Sequence, residues 1–320
     1  MPRPAAIGIA LVVISAFGFG SGALFAKPVY AAGVGWHVLM AWRFLIGAAL
    51  VWVWVAFSPS ARRGLRGMDR RAVVVAIALG VLYTGNSSTY FAGLETVSAS
   101  LAALIVYIYP ALVAVLSLRI GRRLEGRRAW GALGLALAGV ALAVGNIEAA
   151  EMPPISGLVL MVASPVIYSV WIVLAARLSG EGRTGVGRGA DTGANPTAAG
   201  ALMLSATALA FWVSALALGR PVLPAEIPAA AWGGIAGVGI VATFVAVQAF
   251  YAGAHRIGAA RASIVSTVEP IWTIVLANLL FAEVLGPLQL VGGAMILAGV
   301  VIAQTGPSAP AVAELRLADE

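Results

Sequence analysis

Apolar residues run in long unbroken stretches along this chain, separated by short polar or arginine-rich connectors. Nowhere do apolar and polar positions alternate over successive stretches of about ten residues, the pattern of a transmembrane β-barrel. A helix needs about 20 apolar residues to cross a bilayer. Ten segments reach that length, near 6–26, 35–57, 72–92, 97–118, 128–146, 155–176, 197–218, 231–252, 260–281 and 286–305. The pattern predicts an all-α polytopic membrane protein with ten transmembrane helices.

Residues 93–143 repeat as residues 253–303 at a constant offset of 160. Gly93 matches Gly253, Ala99 matches Ala259, Pro110 matches Pro270 and Gly126 matches Gly286. Leu137-Ala138-Gly139-Val140 matches Leu297-Ala298-Gly299-Val300 without a gap. Five spans per copy is an odd number, so the second copy must enter the membrane from the other side. The expected fold is therefore two inverted five-helix repeats around a central cavity, the plan of secondary transporters. The boundaries read as a first repeat over 1–147, a connector over 148–154, a second repeat over 155–305 and a tail over 306–320. Residues 179–196 hold six glycines and mixed charges and read as a flexible cytosolic loop, with Asn195-Pro196 opening the next helix.

Composition narrows the function classes. With 61% hydrophobic and 10% charged residues and a mean hydropathy of +0.97, the 320 residues leave no room for a soluble catalytic domain. The net charge of +7 would suit a nucleic-acid partner until the charges are located. With the N-terminus inside, the inner segments carry Arg3, Arg62, Arg63, Arg66, Arg70, Arg71, Arg119, Arg122, Arg123, Arg127, Arg128, Arg177, Arg183, Arg188, Arg256, Arg261 and Arg316. That is 17 of the 20 basic residues, a strong positive-inside distribution that places both termini in the cytoplasm of an inner-membrane protein. The run from Ala5 to Ala26 exceeds a signal-peptide core and reads as a retained span. Cysteine is absent and His37 and His255 lie far apart, which excludes thiol chemistry and argues against a metal site. No Gly-Lys-Ser/Thr occurs, so ATP-driven pumping by this chain is unsupported and no cofactor is expected.

Candidate chemistry lies inside the spans. Arg43 in the second span and Glu269 in the ninth are the two ionisable residues clearly within the apolar layer, where such groups are expensive and by default functional. They lie at similar depth. Three readings stand: a structural ion pair, a Glu269 that meets a substrate amine or a coupling proton, and an Arg43 that snorkels alone. Tyr83, Asn86 and Tyr90 share a face of the third span at i, i+3 and i+7, as a small ligand with an apolar body and a polar end requires. The competing reading is helix–helix hydrogen bonding, which suffices for Ser87, Ser88 and Thr89. Pro110 and Pro270 are matched mid-span hinges that free the carbonyls of Val106 and Ser266, with Tyr107 and Thr267 beside them. Tyr168 and Trp171 add a second aromatic wall after Pro165. Gly18/Gly22 and Gly233/Gly237 read as close-packing pairs.

These residues carry a resemblance to the drug/metabolite transporter superfamily, and within it to the EamA-type exporters. The resemblance spans residues 6–305 and rests on the two five-helix repeats, Trp42-Arg43-Phe44-Leu45, Pro110, Glu269-Pro270-Ile271, Ala282-Glu283 and Gly292-Gly293. The whole chain looks most like the YddG-like aromatic amino-acid exporters. The resemblance implies a bundle in which helices one to four and six to nine surround the cavity and helices five and ten support it. It implies export of small metabolites, aromatic and other neutral amino acids first, with membrane lipid and the solute as the only partners. Drugs, nucleosides and nucleotide sugars are the alternative cargo. A lipid-acting intramembrane enzyme would need clustered carboxylates or histidines, and a purely structural membrane protein gives no reason for the repeat.

Overall fold

The computed structural model describes residues 3–118, 126–145, 152–178, 196–257, 262 and 265–304. Every long element is helical. They are α1 (Arg3–Gly20), α2 (Gly22–Ala31), α3 (Trp36–Phe57), α4 (Pro59–Arg66), α5 (Arg70–Leu94), α6 (Ala99–Val106) and α7 (Tyr109–Leu118). There follow α8 (Gly126–Gly145), α9 (Ile155–Leu178), α10 (Pro196–Ala217), α11 (Ala229–Gly239), α12 (Ala246–Ile257), α13 (Val268–Phe281) and α14 (Pro287–Gln304). Six helical stretches are long and apolar enough to cross a membrane, and four shorter apolar ones complete ten spans. The residues read as connector, cytosolic loop and tail lie outside the described ones, apart from Met152–Pro154 and from Pro196, which opens α10.

The two halves are related by a two-fold axis, visible in single contacts. A Cβ on Gly139 in α8 would lie 2.5 Å from the carbonyl oxygen of Gly292 in α14. A Cβ on Gly299 would lie 2.7 Å from the carbonyl of Ala132. Gly139 and Gly299 are repeat partners, and so are Ala132 and Gly292, so one contact is the other with the halves exchanged. The same exchange maps Gly253 against Gly8 onto Gly93 against Gly157, which packs α1 on α12 and α5 on α9. α8 and α14 pack chiefly on each other, outside the eight remaining spans.

Four spans are broken, and each break has a local cause. The first turns at Ser21, whose hydroxyl donates back to the Phe17 carbonyl at 2.7 Å. The fourth breaks at Tyr107–Ile108 and the ninth at Ser266–Thr267, just before Pro110 and Pro270. The proline kinks expected from sequence are thus full interruptions. The eighth span carries a π segment, Ile240–Val245, which neither glycine nor proline spacing signals. One packing pair also differs. Gly234 and Gly237 press on Phe25 and Val29 of α2, while no atom lies within 4 Å of a Cβ on Gly233. One residue rotates the helix by about 100°, so a pair chosen by spacing alone can miss the contact face.

The helix α4 interrupts the connector after the second span. Ser58 caps it, accepting from the Ala61 amide at 3.3 Å, Pro59 occupies its first position and Ala61 is buried. Arg62, Arg63, Arg66, Arg70 and Arg71 stay exposed there, and this side of the bundle is called the basic end below.

Candidate functional site

Four spans bring their polar residues to one place between the repeats. α5 supplies Tyr83, Asn86 and Tyr90; the α6–α7 break supplies Tyr107 and Tyr109; α9 supplies Tyr168 and Trp171; α13 supplies Glu269. The rings form a continuous wall. Tyr83 lies 5.2 Å from Trp171 and 6.3 Å from Tyr168, and Tyr168 lies 4.9 Å from Tyr109. Tyr109 lies 5.9 Å from Tyr107, and Tyr168 stacks on Trp171 at 5.9 Å. Tyr90, Tyr107, Tyr109 and Tyr168 all stand within electrostatic reach of the Glu269 carboxylate.

Backbone anchors hold this wall. Trp171 donates its indole N–H to the Leu79 carbonyl at 2.8 Å, tying α9 to α5. Ser169 is fully buried and donates to Pro165 O at 2.5 Å and Tyr109 O at 3.2 Å, which joins α9 to the start of α7. Asn86 accepts from Ser164 at 2.9 Å, so its carbonyl oxygen serves helix packing. Thr89 donates to Gly85 O and Asn86 O within its own helix. Glu269 is placed by the break in the first span. Thr273, one turn along, donates to Gly20 O at 2.9 Å, and Trp272 donates to Ser21 Oγ at 3.0 Å while stacking on Phe17 at 4.1 Å. A Cβ on Gly20 would meet the Glu269 carbonyl at 3.0 Å, so glycine lets the two backbones approach.

The carboxylate itself is left open. Among the described residues, no lysine, arginine or hydrogen-bond donor contacts it, and the hydroxyls of Tyr83, Tyr90, Tyr109 and Tyr168 likewise bond to no protein group. Glu269, Tyr83, Tyr90, Tyr109 and Tyr168 are half-buried, not sealed, although they lie deep in the bundle. Buried tyrosine hydroxyls ordinarily find a partner. Three that do not, Tyr90, Tyr109 and Tyr168, stand around one unpaired acid.

Arg43 does not join this acid. It is 8% exposed, donates through Nε to Thr243 Oγ1 at 2.8 Å, and lies over the rings of Phe44 at 4.9 Å and Phe91 at 4.7 Å. Thr243 passes the contact on to the Val238 carbonyl at 2.9 Å, a bond five residues back that belongs to the π segment. The ion pair and the snorkelling side chain weighed from sequence are therefore both absent among the described residues. Arg43 and Glu269 both lie within electrostatic reach of the Tyr90 hydroxyl.

The Ser266 carbonyl, released by Pro270, accepts the Tyr107 hydroxyl. Thr267 sits in the break next to it. Tyr109 was missed by spacing, since it follows Tyr107 by two residues and an unbroken helix would turn it away. The Tyr-x-Tyr-Pro run was the one available signal.

At the end opposite the basic one, polar groups tie the elements together. Lys27 donates to Leu94 O at 3.0 Å and Val97 O at 2.6 Å, and Tyr30 donates to Phe91 O at 2.9 Å. Glu95 accepts from the Trp36 amide at 2.7 Å. Glu283 accepts from the amides of Ala99 at 3.0 Å and Ser100 at 2.8 Å, capping α6 from the far repeat. A separate apolar cleft of about 330 Å³ lies between α2 and α13, lined by Ser21, Leu24, Phe25, Pro28, Leu276, Leu280 and Phe281. It carries no ionisable group.

Ten spans in two inverted repeats around a cavity of this kind define the architecture of a membrane transporter. The chain belongs to the EamA-like transporter family, whose model matches residues 6–145 and 155–305. It is 28% identical over 294 residues to YcbK of Bacillus subtilis (strain 168), an uncharacterized transporter, covering 91% of this chain and 90% of that one. An uncharacterized transporter of Archaeoglobus fulgidus is 29% identical over 296 residues, covering 92% and 96%. A crystal structure resembles the fold with a TM-score of 0.61 at 20% identity, over 94% of this chain and 97% of that one. The chain is thus a multi-pass membrane transporter of small molecules, and not an enzyme.

Proposed function

We propose that this transporter exports small metabolites, aromatic and other neutral amino acids foremost, by alternating access through the tyrosine-lined cavity. The observation that carries the reading is the convergence of three unbonded tyrosine hydroxyls, those of Tyr90, Tyr109 and Tyr168, on the unpaired Glu269. Tyr83, Tyr168 and Trp171 would surround the side chain of the substrate. Asn86, Tyr90, Tyr107, Thr267 and Glu269 would meet its polar end.

The basic end is read as cytoplasmic, so both termini are cytoplasmic and the protein lies in the inner membrane. The Lys27, Tyr30 and Glu283 bonds then form an outer latch, and the cavity is reached from inside. Breaks before Pro110 and Pro270 supply the hinges on which the two repeats exchange roles. Nucleotide sugars are disfavoured, because their phosphates need a free base at the cavity and Arg43 is already held.

The test is release from proteoliposomes loaded with all twenty amino acids plus nucleosides, read by mass spectrometry against empty-vesicle leak. Selective loss of phenylalanine, tyrosine and tryptophan supports the reading. Release of nucleosides alone keeps the transporter and discards the amino acids.

A further inference from the structure

We propose that the cavity selects its substrate by an ammonium group, so that monoamine cations with an aromatic body bind better than the matching amino acids. This deepens the reading of the tyrosine-lined cavity as the transport route and rests on it.

The charge inventory of the wall carries the argument. Glu269 is its acid, and no base among the described residues pairs with it. Two buried or half-buried cations among the described residues, Arg43 and Lys27, are already occupied. Arg43 is bonded to Thr243 and sandwiched by Phe44 and Phe91, with Nη1 4.0 Å from the Met40 sulfur. Lys27 is committed to two backbone carbonyls. Among the described residues the site thus offers one unpaired carboxyl group and aromatic faces, with no cation left unbonded for a substrate carboxylate.

Its complement is a cation with an apolar body. A primary ammonium would donate to the Glu269 carboxylate, a charge-assisted bond in a poorly hydrated place. The faces of Tyr168, Tyr109 and Trp171 would add cation–π attraction. A zwitterion keeps the first contact. Its carboxylate, however, then approaches Glu269 and finds only neutral donors such as tyrosine hydroxyls and the Asn86 amide, so binding loses part of what the amine end gains. An anion without the amine has nothing to meet but like charge.

Three indoles with one ring system separate these cases: tryptamine, tryptophan and indole-3-propionate. Purified protein in lipid nanodiscs is titrated with each by calorimetry, and release of each from proteoliposomes is measured in parallel. Tryptamine should bind roughly tenfold or more tightly than tryptophan, about 1.4 kcal/mol at the least, and indole-3-propionate should not bind. Glu269→Gln should weaken tryptamine by at least about tenfold while the variant elutes as a folded monodisperse species. Tryptophan binding as tightly as tryptamine would overturn the inference, a result that needs no variant to fold. So would tryptamine binding that ignores Glu269→Gln. Release of tryptophan with no tryptamine would reject the ammonium rule and leave the amino-acid export reading intact. Absence of binding and release for all three would reject both.

Discussion

Tyr107 donates its hydroxyl to the Ser266 carbonyl, which loses its usual donor four residues on to Pro270 and also accepts the Glu269 amide at 3.0 Å. One bond therefore joins the break in the fourth span to the break in the ninth, across the axis that relates the repeats. A proline in the middle of a helix ordinarily costs stability through its missing N–H. Here the carbonyl, bonded to the Glu269 amide, takes the Tyr107 hydroxyl as a second donor and joins the two breaks. The repeat partner of Tyr107 is Thr267, so the two halves are not chemically equal at this point.

That bond can be tested against its neighbour. Tyr107→Phe removes this bond while the Ser266 carbonyl keeps the Glu269 amide, and should cost about 0.5–1.5 kcal/mol. Tyr109→Phe removes a hydroxyl with no protein partner and should leave stability unchanged. Unfolding midpoints of the two variants in detergent provide the comparison. Equal midpoints would mean that the tether contributes nothing.

The glycine contacts give a second prediction. Gly139→Leu places side-chain atoms where the Gly292 carbonyl lies, 2.5 Å from a Cβ. Overpacking of this kind costs about 1–3 kcal/mol or more. Because the axis maps this contact onto Gly299 and Ala132, Gly299→Leu should destabilise by a similar amount. Gly134→Ala, where no atom lies within 4 Å, should be silent. Thermal unfolding in nanodiscs reads all three, and a silent Gly139→Leu would contradict the packing of α8 on α14.

Much of this architecture was legible in the residues. The ten apolar runs and the offset of 160 imply two inverted repeats, because five spans per copy leave no other arrangement. Tyr83 and Tyr168 could be chosen because each sits on a regular helix, where spacing translates into a face. Tyr109 could not, because the break at Tyr107–Ile108 resets the rotation that spacing assumes. The partners of Arg43 were hidden for a different reason. Its partners Thr243 and Phe91 lie 200 and 48 residues away in sequence, on a π segment and on the far side of α5. Long-range pairing of this kind leaves no local trace. Gly233 shows the finest limit, a face decided by a single residue of rotation.

Thr243 supplies a third prediction. Thr243→Val keeps the volume but removes the acceptor for Arg43 Nε and the hydroxyl donor to Val238 O. A buried charged donor left unpaired costs about 1–3 kcal/mol or more. Thr243→Ser retains the hydroxyl and should lose much less. The pair is read by unfolding in detergent. Indistinguishable midpoints would show that Arg43 is held by its rings alone.

The outer latch yields a fourth. Glu283→Gln weakens the acceptance of two amides at the start of α6 and removes a favourable charge at a helix N-terminus, together about 1 kcal/mol. The chain contains no cysteine, so a Tyr90→Cys reporter can be read without background. Labelling of this reporter by an impermeant maleimide added from the latch side should rise severalfold in the Glu283→Gln background. An unchanged rate would mean that these bonds do not control access.

The most direct test of the cavity is a crystal structure with 5-bromotryptophan, located by the anomalous signal of bromine. The account predicts the bromine among Tyr83, Tyr168 and Trp171, with the amino group at the Glu269 carboxylate. A bromine peak in the apolar cleft between α2 and α13, or outside the bundle, with the tyrosine-lined site unchanged, would contradict it.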